Sequence, residues 1–314
     1  AGCAKPVHDA LRIGNGTEPQ GLDPHVVQGV PEHRLTSTLF EGLADLDPKT
    51  LEPIPAVAQS WTISDDKKLY TFRLRENALW TNGDPVTAQD FLYSWQRILT
   101  PSLGSDYAYM LHCIKNAKAY SEKKITDFAQ VGVRALDAHT LQVELENPTP
   151  YFLSMQQHFT FYPVHKATVE RFGRMDERNT KWTRPGNLVG NGAFVLKRWI
   201  PNNVIEVVKN ERYWNAANVR LKRILFYPID NALTEERSFR TGLLDATENL
   251  PITKVPVYRI EHPDVLRTDP YFGNYFYRIN VTRPPVSDVR VRRAFALALD
   301  RGSLTKNVMT EGQR

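Results

Sequence analysis

The stretch LRENALWTNGDPVTAQDFLYSWQRI, residues 74–98, contains the end of a strand, a polar turn and the start of a helix. At its beginning, Tyr70, Phe72 and Leu74 alternate with polar residues, which is the period of a half-buried β-strand. Asn82-Gly83 predicts a turn, because glycine accepts backbone angles that other residues resist. The stretch therefore predicts a strand that turns sharply before a helix.

The start of that helix has its own signature. Thr87 stands at the N-cap position with Asp90 three residues later, which approaches the pattern of a capping box. Val86 and Phe91 occupy the positions of a hydrophobic staple around the cap. We interpret both aspartates of the stretch, Asp84 and Asp90, as folding residues, and a catalytic or metal-binding use is the alternative.

The composition is that of an ordinary globular protein. The chain has 314 residues, of which 41% are hydrophobic and 24% charged, enough for a core in two domains or one large one. Lysine and arginine exceed the acids by 40 to 35. The densest basic cluster, Arg290, Arg292 and Arg293, lies on a helix-like stretch, and we interpret it as a solvated helix face rather than a nucleic-acid contact.

The first residues, AGCAKP, resemble the end of a bacterial lipoprotein cleavage site, with a small residue and a glycine before a cysteine. On this interpretation Cys3 carries the lipid, and the alternative is an ordinary cysteine near an arbitrary start. The other cysteine is Cys113. Two cysteines, one of them acylated, form neither a disulfide framework nor a zinc site. No apolar run approaches the length of a transmembrane helix.

Strand and helix patterns are mixed along the rest of the chain. Strands are predicted in ALRIGNG, at 69–75, in a hairpin over 131–145, and in NGAFVLKRW, NVIEVVKN and LKRILFYPI between 191 and 229. Helices are predicted at 32–44, 88–99, 234–242 and in two stretches over 288–311. Thr234 is expected to cap the third of these helices. Because the elements mix without strict βαβ alternation, the predicted fold class is α/β (α+β mixed) with several lobes.

Catalytic motifs are not found in the sequence. The eight histidines form no HExxH pair, and neither a GxSxG elbow nor a P-loop is present. Gly14-Asn15-Gly16 follows a predicted strand, but Pro19 stands where a dinucleotide-binding loop needs its third glycine. We therefore expect a binding protein that is not an enzyme and that uses no cofactor and no metal. A hydrolase is the alternative.

Six segments together resemble, in the same order, the periplasmic oligopeptide-binding proteins of bacterial ABC transporters (extracellular solute-binding protein family 5). They are LDPHVVQGVPE, LFEGLADLDP, the segment from AQSW to LTP at 58–101, GNLVGNGAFVLKRW, YWNAANVRLKRILFYPI and PPVSDVRVRRAFALALDR. The resemblance covers nearly the whole chain from about Leu11. It implies that the Asn82-Gly83-Asp84 turn is a landmark of the fold and not a reaction centre.

The resemblance implies a multi-lobed, periplasmic-binding-protein-like type II fold. A discontinuous lobe I takes residues 1–40 and 167–271, an inserted lobe II takes 41–166, and 272–314 begins lobe III. Members of the family continue well beyond this point, so lobe III is expected to be incomplete and the chain to be an N-terminal portion or a truncated product.

The resemblance also implies a peptide site between lobes I and III, where main-chain hydrogen bonds supply affinity as in strand addition. Gln28, Gly29 and Val30 match the loop of lobe I that pairs with peptide backbone. Tyr107, in SDYAYML, matches a tyrosine from lobe II that lines a pocket. The remaining expected site residues are Glu248 and Asn249 as a polar wall and Tyr271, Phe276 and Arg278 on an aromatic strand entering lobe III.

Some residues depart from the pattern of the family. Gln28 stands where relatives often have glutamate, and Arg278 where an acid can occur, so both changes remove negative charge from the site. This puts a preference for basic peptides in doubt and favours acidic or amidated ligands. Gly273 replaces a cysteine that can form a disulfide, so that bond is expected to be absent.

The function implied is that of an extracytoplasmic or periplasmic receptor, lipid-anchored to a bacterial membrane and monomeric. It would deliver short peptides to an ABC transporter permease in the inner membrane, without catalysis and without binding nucleic acid. Two alternatives stay open. The same fold can bind murein peptides, haem or a metal chelate, or a truncated protein can act as a partner-binding module.

Overall fold

The computed structural model describes residues 9–269, 273 and 275–309. Its internal contacts divide the chain into two compact units, Ala1–Glu248 and Asn249–Arg314. Both Cys3 and Tyr271 lie outside the described residues.

The first unit contains strands β1 to β10 and helices α1 to α6. The strands are Leu11–Gly14, Ala44–Leu46, Pro53–Pro55, Ala58–Ile63, Leu69–Leu74, Val133–Asp137, Thr140–Glu144, Phe194–Ile200, Val204–Lys209 and Arg223–Tyr227. The α-helices are Val30–Leu39, Ala88–Leu99, Ala117–Ser121, Phe152–Met155, Lys166–Phe172 and Ala232–Arg240. This mixture confirms the predicted α/β class with α+β character.

One sheet joins the beginning of the chain to a region some two hundred residues later. Its strand order is β1-β10-β9-β8, in which β1 pairs in parallel with β10 and the other pairs are antiparallel. Leu11 lies opposite Ile224, and Ile13 lies opposite Phe226. The loop that follows β1 is thus anchored by a strand pairing of high sequence separation.

A second sheet, in the order β4-β5-β7-β6, is antiparallel throughout. Phe72 on β5 faces Leu141 on β7, and both side chains are fully buried. Helix α2 packs beside β6 and β7 and contributes Phe91, Trp95 and Ile98 to the core. The hairpin and strand predicted at 131–145 and 69–75 are confirmed.

The polar turn between β5 and α2 is a closed structural unit. Gly83 has a positive φ of 98°, and the N–H of Trp80 donates to the carbonyl of Asp84 at 2.8 Å. The amide of Asn82 donates to the Asp84 carboxylate at 2.6 Å, and His165 contacts the same oxygen at 3.1 Å. The side chains of Asn82 and Asp84 therefore stabilise the turn, as the sequence predicts.

Two helix predictions need correction. The helix predicted over 32–44 spans Val30–Leu39, and the backbone turns extended at Phe40. Beyond this end, Gly42 lies so close to Gln156 that an added Cβ would be 2.2 Å from its carbonyl oxygen, which explains the glycine at that position. The cap of α6 is Asn231 and not Thr234, since the side chain of Asn231 accepts the N–H of Thr234 at 2.9 Å.

A buried ion pair connects the loop after β1 to helix α2. The guanidinium of Arg97, fully buried, donates to both carboxylate oxygens of Asp23 at 2.9 and 2.6 Å. It also donates to Nδ1 of His25 at 2.9 Å, so the ring proton of His25 lies on Nε2 and is donated to the carbonyl of Tyr162. The loop that leads to residues 28–30 is therefore fixed from inside the core.

The second unit contains α7, Val255–Glu261, then α8, Val289–Ala298, then α9, Arg301–Ser303, and a π-helical turn over Leu304–Met309. The two helical stretches predicted over 288–311 are confirmed. The aromatic strand predicted at 270–281 is not found in its described part, because residues 275–280 pair with no strand and Tyr275 and Tyr277 are 90% and 76% exposed. None of the described helices is long and apolar enough to cross a membrane.

Candidate functional site

The loop Gln28-Gly29-Val30 lies exposed at the N-terminus of α1. Gly29 is the N-cap residue with φ 102°, and a side chain there would meet the Glu32 carboxylate at 2.8 Å, so glycine is required twice over. Within the described part of the chain, the N–H groups of these three residues donate to no acceptor. The loop therefore presents unused backbone donors at the positive end of a helix.

The side chain of Gln28 reaches a second loop, over residues 102–108. Its Nε2 donates to Oδ2 of Asp106, and both side chains are exposed. The next residue is Tyr107, whose ring centroid lies 6.3 Å from that of the exposed Tyr109. The structure thus brings the predicted residues Gln28 and Tyr107 to neighbouring positions, with Asp106 between them.

Tyr107 packs against an aromatic cluster formed by His33, His158 and Phe159. The ring of Tyr107 packs edge-on against His158 and Phe159, with centroids 5.4 and 5.8 Å away, and His33 of α1 stacks on His158 at 6.1 Å. Burial lowers the pKa of His158 to about 4, with His33 adding to the effect, so both imidazoles are neutral near pH 7. The Tyr107 side chain is held by packing that needs no charge.

Glu248 is fixed on the other side of α1. Arg34 of α1 donates to the carboxylate of Glu248. The backbone N–H of Glu248 donates to the carboxylate of Glu235 at 2.7 Å. Arg34 also donates to the side-chain oxygen of Asn15 at 3.2 Å. Glu248, predicted with Asn249 to form a polar wall, is therefore part of a buttressed ion pair beside the residues that follow β1.

A cavity of about 420 Å³ is lined by His33 of the aromatic cluster and, among others, by Ser37, Glu41, Asp45, Gln157 and Tyr213. Glu41 accepts hydrogen bonds from the Tyr213 hydroxyl and, at 2.6 Å, from Nε1 of Trp214. Burial raises the pKa of Glu41 to about 7, although these two donors act in the opposite direction. The cavity thus holds a carboxyl group that titrates near neutrality.

Other predicted site residues lie in the second unit. Asn249 begins that unit, and Phe276 and Arg278 are exposed on its segment 275–280, where Phe276 is 65% exposed. No group of three histidine, cysteine or acidic side chains among the described residues is arranged to hold a metal ion.

The sequence did not single out Asp106, His33, His158 or Phe159. Asp106 directly precedes Tyr107 in SDYAYML, but its contact with Gln28 spans 78 positions and no local pattern predicts it. The two histidines belong to no spaced motif, and their packing against Tyr107 depends on the tertiary fold. The importance of these residues becomes visible only in the fold, where the loops over residues 28–30 and 102–108 lie side by side.

Comparison with known proteins gives a consistent family. The family model described as bacterial extracellular solute-binding proteins, family 5 Middle, matches residues 52–314. The chain is 42% identical over 319 residues to the periplasmic oligopeptide-binding protein OppA of Escherichia coli K12, covering 99% of this chain and 56% of that protein. The chain therefore spans about half the length of the relatives it matches.

Solved structures agree with this result. The murein tripeptide-binding protein MppA of Escherichia coli superposes with a TM-score of 0.90 at 39% identity, over 97% of this chain and 58% of that one. Haemophilus influenzae OppA in complex with the peptide RPPGFSPFR superposes with a TM-score of 0.87 at 34% identity, over 99% and 60%. The fold is that of the type II binding proteins, as predicted.

Proposed function

This chain belongs to the bacterial extracellular solute-binding proteins of family 5, and from that premise we propose that it binds short oligopeptides for an ABC transporter. It receives peptides outside the cytoplasm and delivers them to a membrane permease, without catalysing a reaction. The permease, the monomeric state and a lipid anchor on Cys3 are parts of the same proposal. Relatives named for peptide binding and for the periplasm support it.

The observation that carries the proposal is the loop Gln28-Gly29-Val30. Its N–H groups have no partner among the described residues, and it stands exposed at the start of α1. An extended peptide offers carbonyl oxygens at regular spacing whatever its sequence, so unused donors in a row favour binding through the main chain. Gly29 adopts a φ of 102° that favours glycine, and residues 28–30 are all exposed.

The surrounding residues fit the same function. Tyr107, held by the aromatic cluster, offers a ring face for a ligand side chain, and Glu248 with its Arg34 partner forms one polar wall. We propose that lobe I comprises 1–40 and 167–271, lobe II 41–166, and the part of lobe III in this chain 272–314. We also propose Asn249, Tyr271, Phe276 and Arg278 as residues that contact the ligand.

The test is calorimetric titration of the full-length protein, as the cell makes it, with tripeptides of alanine. Methylation of single peptide nitrogens and replacement of single amides by esters, whose carbonyl oxygens are weaker acceptors, then locate the main-chain contacts. We expect binding that tolerates changes of side chain but weakens about fivefold when an ester replaces the amide whose carbonyl accepts from the loop. Equal affinity of ester and amide peptides would contradict main-chain recognition.

A second measurement identifies the natural ligand. Mass spectrometry of molecules that copurify with the full-length protein is expected to show a mixture of short peptides. A single murein peptide, haem or a metal chelate would assign a different ligand to the same fold, and turnover of any added substrate would contradict a pure binding function.

A further inference from the structure

Asp106 places an exposed carboxylate beside Gln28, whose own side chain is uncharged. Gln28 has an amide where an acid is expected from the resemblance, but that amide donates to Oδ2 of Asp106. Among the residues that the structure describes, Oδ1 of Asp106 and Oε1 of Gln28 accept no hydrogen bond. The pair therefore presents two unused oxygen acceptors, one of them on a charged group.

The charge of Asp106 is not neutralised within the described part of the chain. Asp106 forms no ion pair there. The cation that contacts its loop, Arg178, donates instead to the backbone carbonyls of Leu103, at 2.6 Å, and Gly104. On α1, the cation Arg34 is paired with Glu248. An exposed carboxylate is thus kept beside the loop of the proposed peptide site.

Aromatic rings stand next to this carboxylate. Tyr107 follows it in the chain, and Tyr109 is 61% exposed with its ring 6.3 Å from that of Tyr107. A carboxylate attracts a cation, and the face of a tyrosine ring adds a favourable cation–π contact. An amide oxygen supplies a further acceptor for an ammonium or guanidinium donor.

We propose that Asp106, Gln28 and Tyr109 form a subsite for a cationic side chain of the ligand, that of lysine or arginine. The inference rests on the proposed function, because it assumes that a peptide lies along residues 28–30. Gln28 alone predicts a site that lacks negative charge. Asp106, which contacts Gln28, supplies that charge instead. Closure over the ligand would exclude water and strengthen the pairing relative to a solvated ion pair.

The test uses the full-length protein and the peptides Ala-Lys-Ala, Ala-norleucine-Ala and Ala-Glu-Ala. Norleucine keeps the length of the lysine stem and removes the charge. We expect the variant Asp106→Asn, which keeps the shape and the hydrogen bond from Gln28, to bind the lysine peptide about fivefold more weakly. The norleucine peptide should bind unchanged, and the lysine effect should shrink at high salt.

Matched controls separate this subsite from general effects. Asp65→Asn removes the same charge from an exposed turn and should leave the lysine-to-norleucine ratio unchanged. Gln28→Glu adds a second carboxylate beside Asp106 and should raise that ratio above the wild-type value. N-acetylated Ala-Lys-Ala should keep the fivefold effect, and loss of the effect on acetylation would assign the cation to the terminal ammonium and overturn the side-chain subsite.

The outcomes distinguish this inference from the function on which it rests. If the wild type binds all three peptides and Asp106→Asn weakens them equally, the subsite is overturned while peptide binding stands. If none of the peptides binds the wild type, peptide binding itself fails, and the subsite with it. A selective loss for lysine supports both.

Discussion

Arg97 is the residue on which the position of the candidate site depends most. Its side chain lies fully inside the first unit and joins α2 to Asp23 and His25 in the loop before Gln28. Asp23 is 7% exposed, and the neighbouring guanidinium keeps its pKa below the ordinary value despite the opposing effect of burial. Such a pair is costly to bury but much more costly to break.

Arg97→Met should therefore destabilise the protein by about 3–5 kcal/mol, because it leaves the Asp23 carboxylate buried without its partner. Urea unfolding followed by circular dichroism measures the change. The control is Arg73→Met, whose guanidinium lies 3.8 Å from Asp137 with both side chains more than half exposed, and its effect should stay below about 1 kcal/mol. Similar effects of the two substitutions would contradict the structural importance of the buried pair.

The pH dependence of stability contains opposing contributions, one from Glu41 and the other from histidines whose pKa is lowered by burial, among them His25 and His158. The folded pKa of Glu41 is about 7 against an ordinary 4.5, so between these values the folded state holds the extra proton and gains stability as the pH falls. The pKa of the buried His25 is lowered from 6.5 to about 4, so the folded state resists protonation and loses stability as the pH falls through that range.

Glu41→Gln should remove the first contribution and leave the second. We expect its free energy of unfolding to fall more steeply than that of the wild type between pH 7 and 4.5, by at most about 1 kcal/mol per pH unit. Asp45, Arg75 and Tyr213 surround Glu41 and are unchanged in both proteins. Urea titrations at several pH values measure the slopes, with the exposed Glu52→Gln as control, and parallel profiles would show that Glu41 does not titrate in this range.

At the scale of elements, Asp90 stabilises the first turn of α2. The carboxylate of Asp90 accepts from the N–H of Thr87 at 2.7 Å and from its hydroxyl at 2.9 Å. Burial raises the pKa of this carboxyl, so the two hydrogen bonds also compensate a partly buried charge.

Asp90→Ala should lower the free energy of unfolding by about 1 kcal/mol, because the N–H and the hydroxyl of the N-cap residue Thr87 lose their acceptor. Chemical denaturation measures the loss, and Gln89→Ala, at an exposed position in the same turn, serves as the control. An Asp90 variant as stable as the control would show that the capping interaction contributes nothing measurable.

The elements that sequence predicts best are those whose signal is local. The cap at Thr87, the turn at Gly83 and the alternation of β5 are each encoded within a few residues, and all three are present. The prediction of α1 overran its end, since the helix stops at Leu39 and the backbone is extended at Phe40. Asp106 was missed because its significance comes from a distant glutamine.

At the scale of the whole molecule, strand pairing explains how one chain builds a site from distant segments. The parallel pairing of β1 with β10 fixes the start of the loop that contains Gln28. The ion pair between Arg12 and Asp245, at 2.8 Å, and the bond from the N–H of Gly14 to the carbonyl of Ala246 hold the segment before Glu248 on the same sheet. Loop and polar wall are thus fixed by one sheet of the first unit.

The last prediction concerns residues 1–314 alone. The chain spans 56% of the length of OppA, and on the proposed division into lobes residues 272–314 form only part of lobe III. We expect this chain to bind tripeptides more weakly than 1 µM, which corresponds to about 8 kcal/mol, because fewer groups close over the ligand. Calorimetry measures the affinity, and a cooperative urea transition of the same sample confirms that it is folded. Micromolar binding by the folded chain would show that residues 1–314 suffice to hold a peptide.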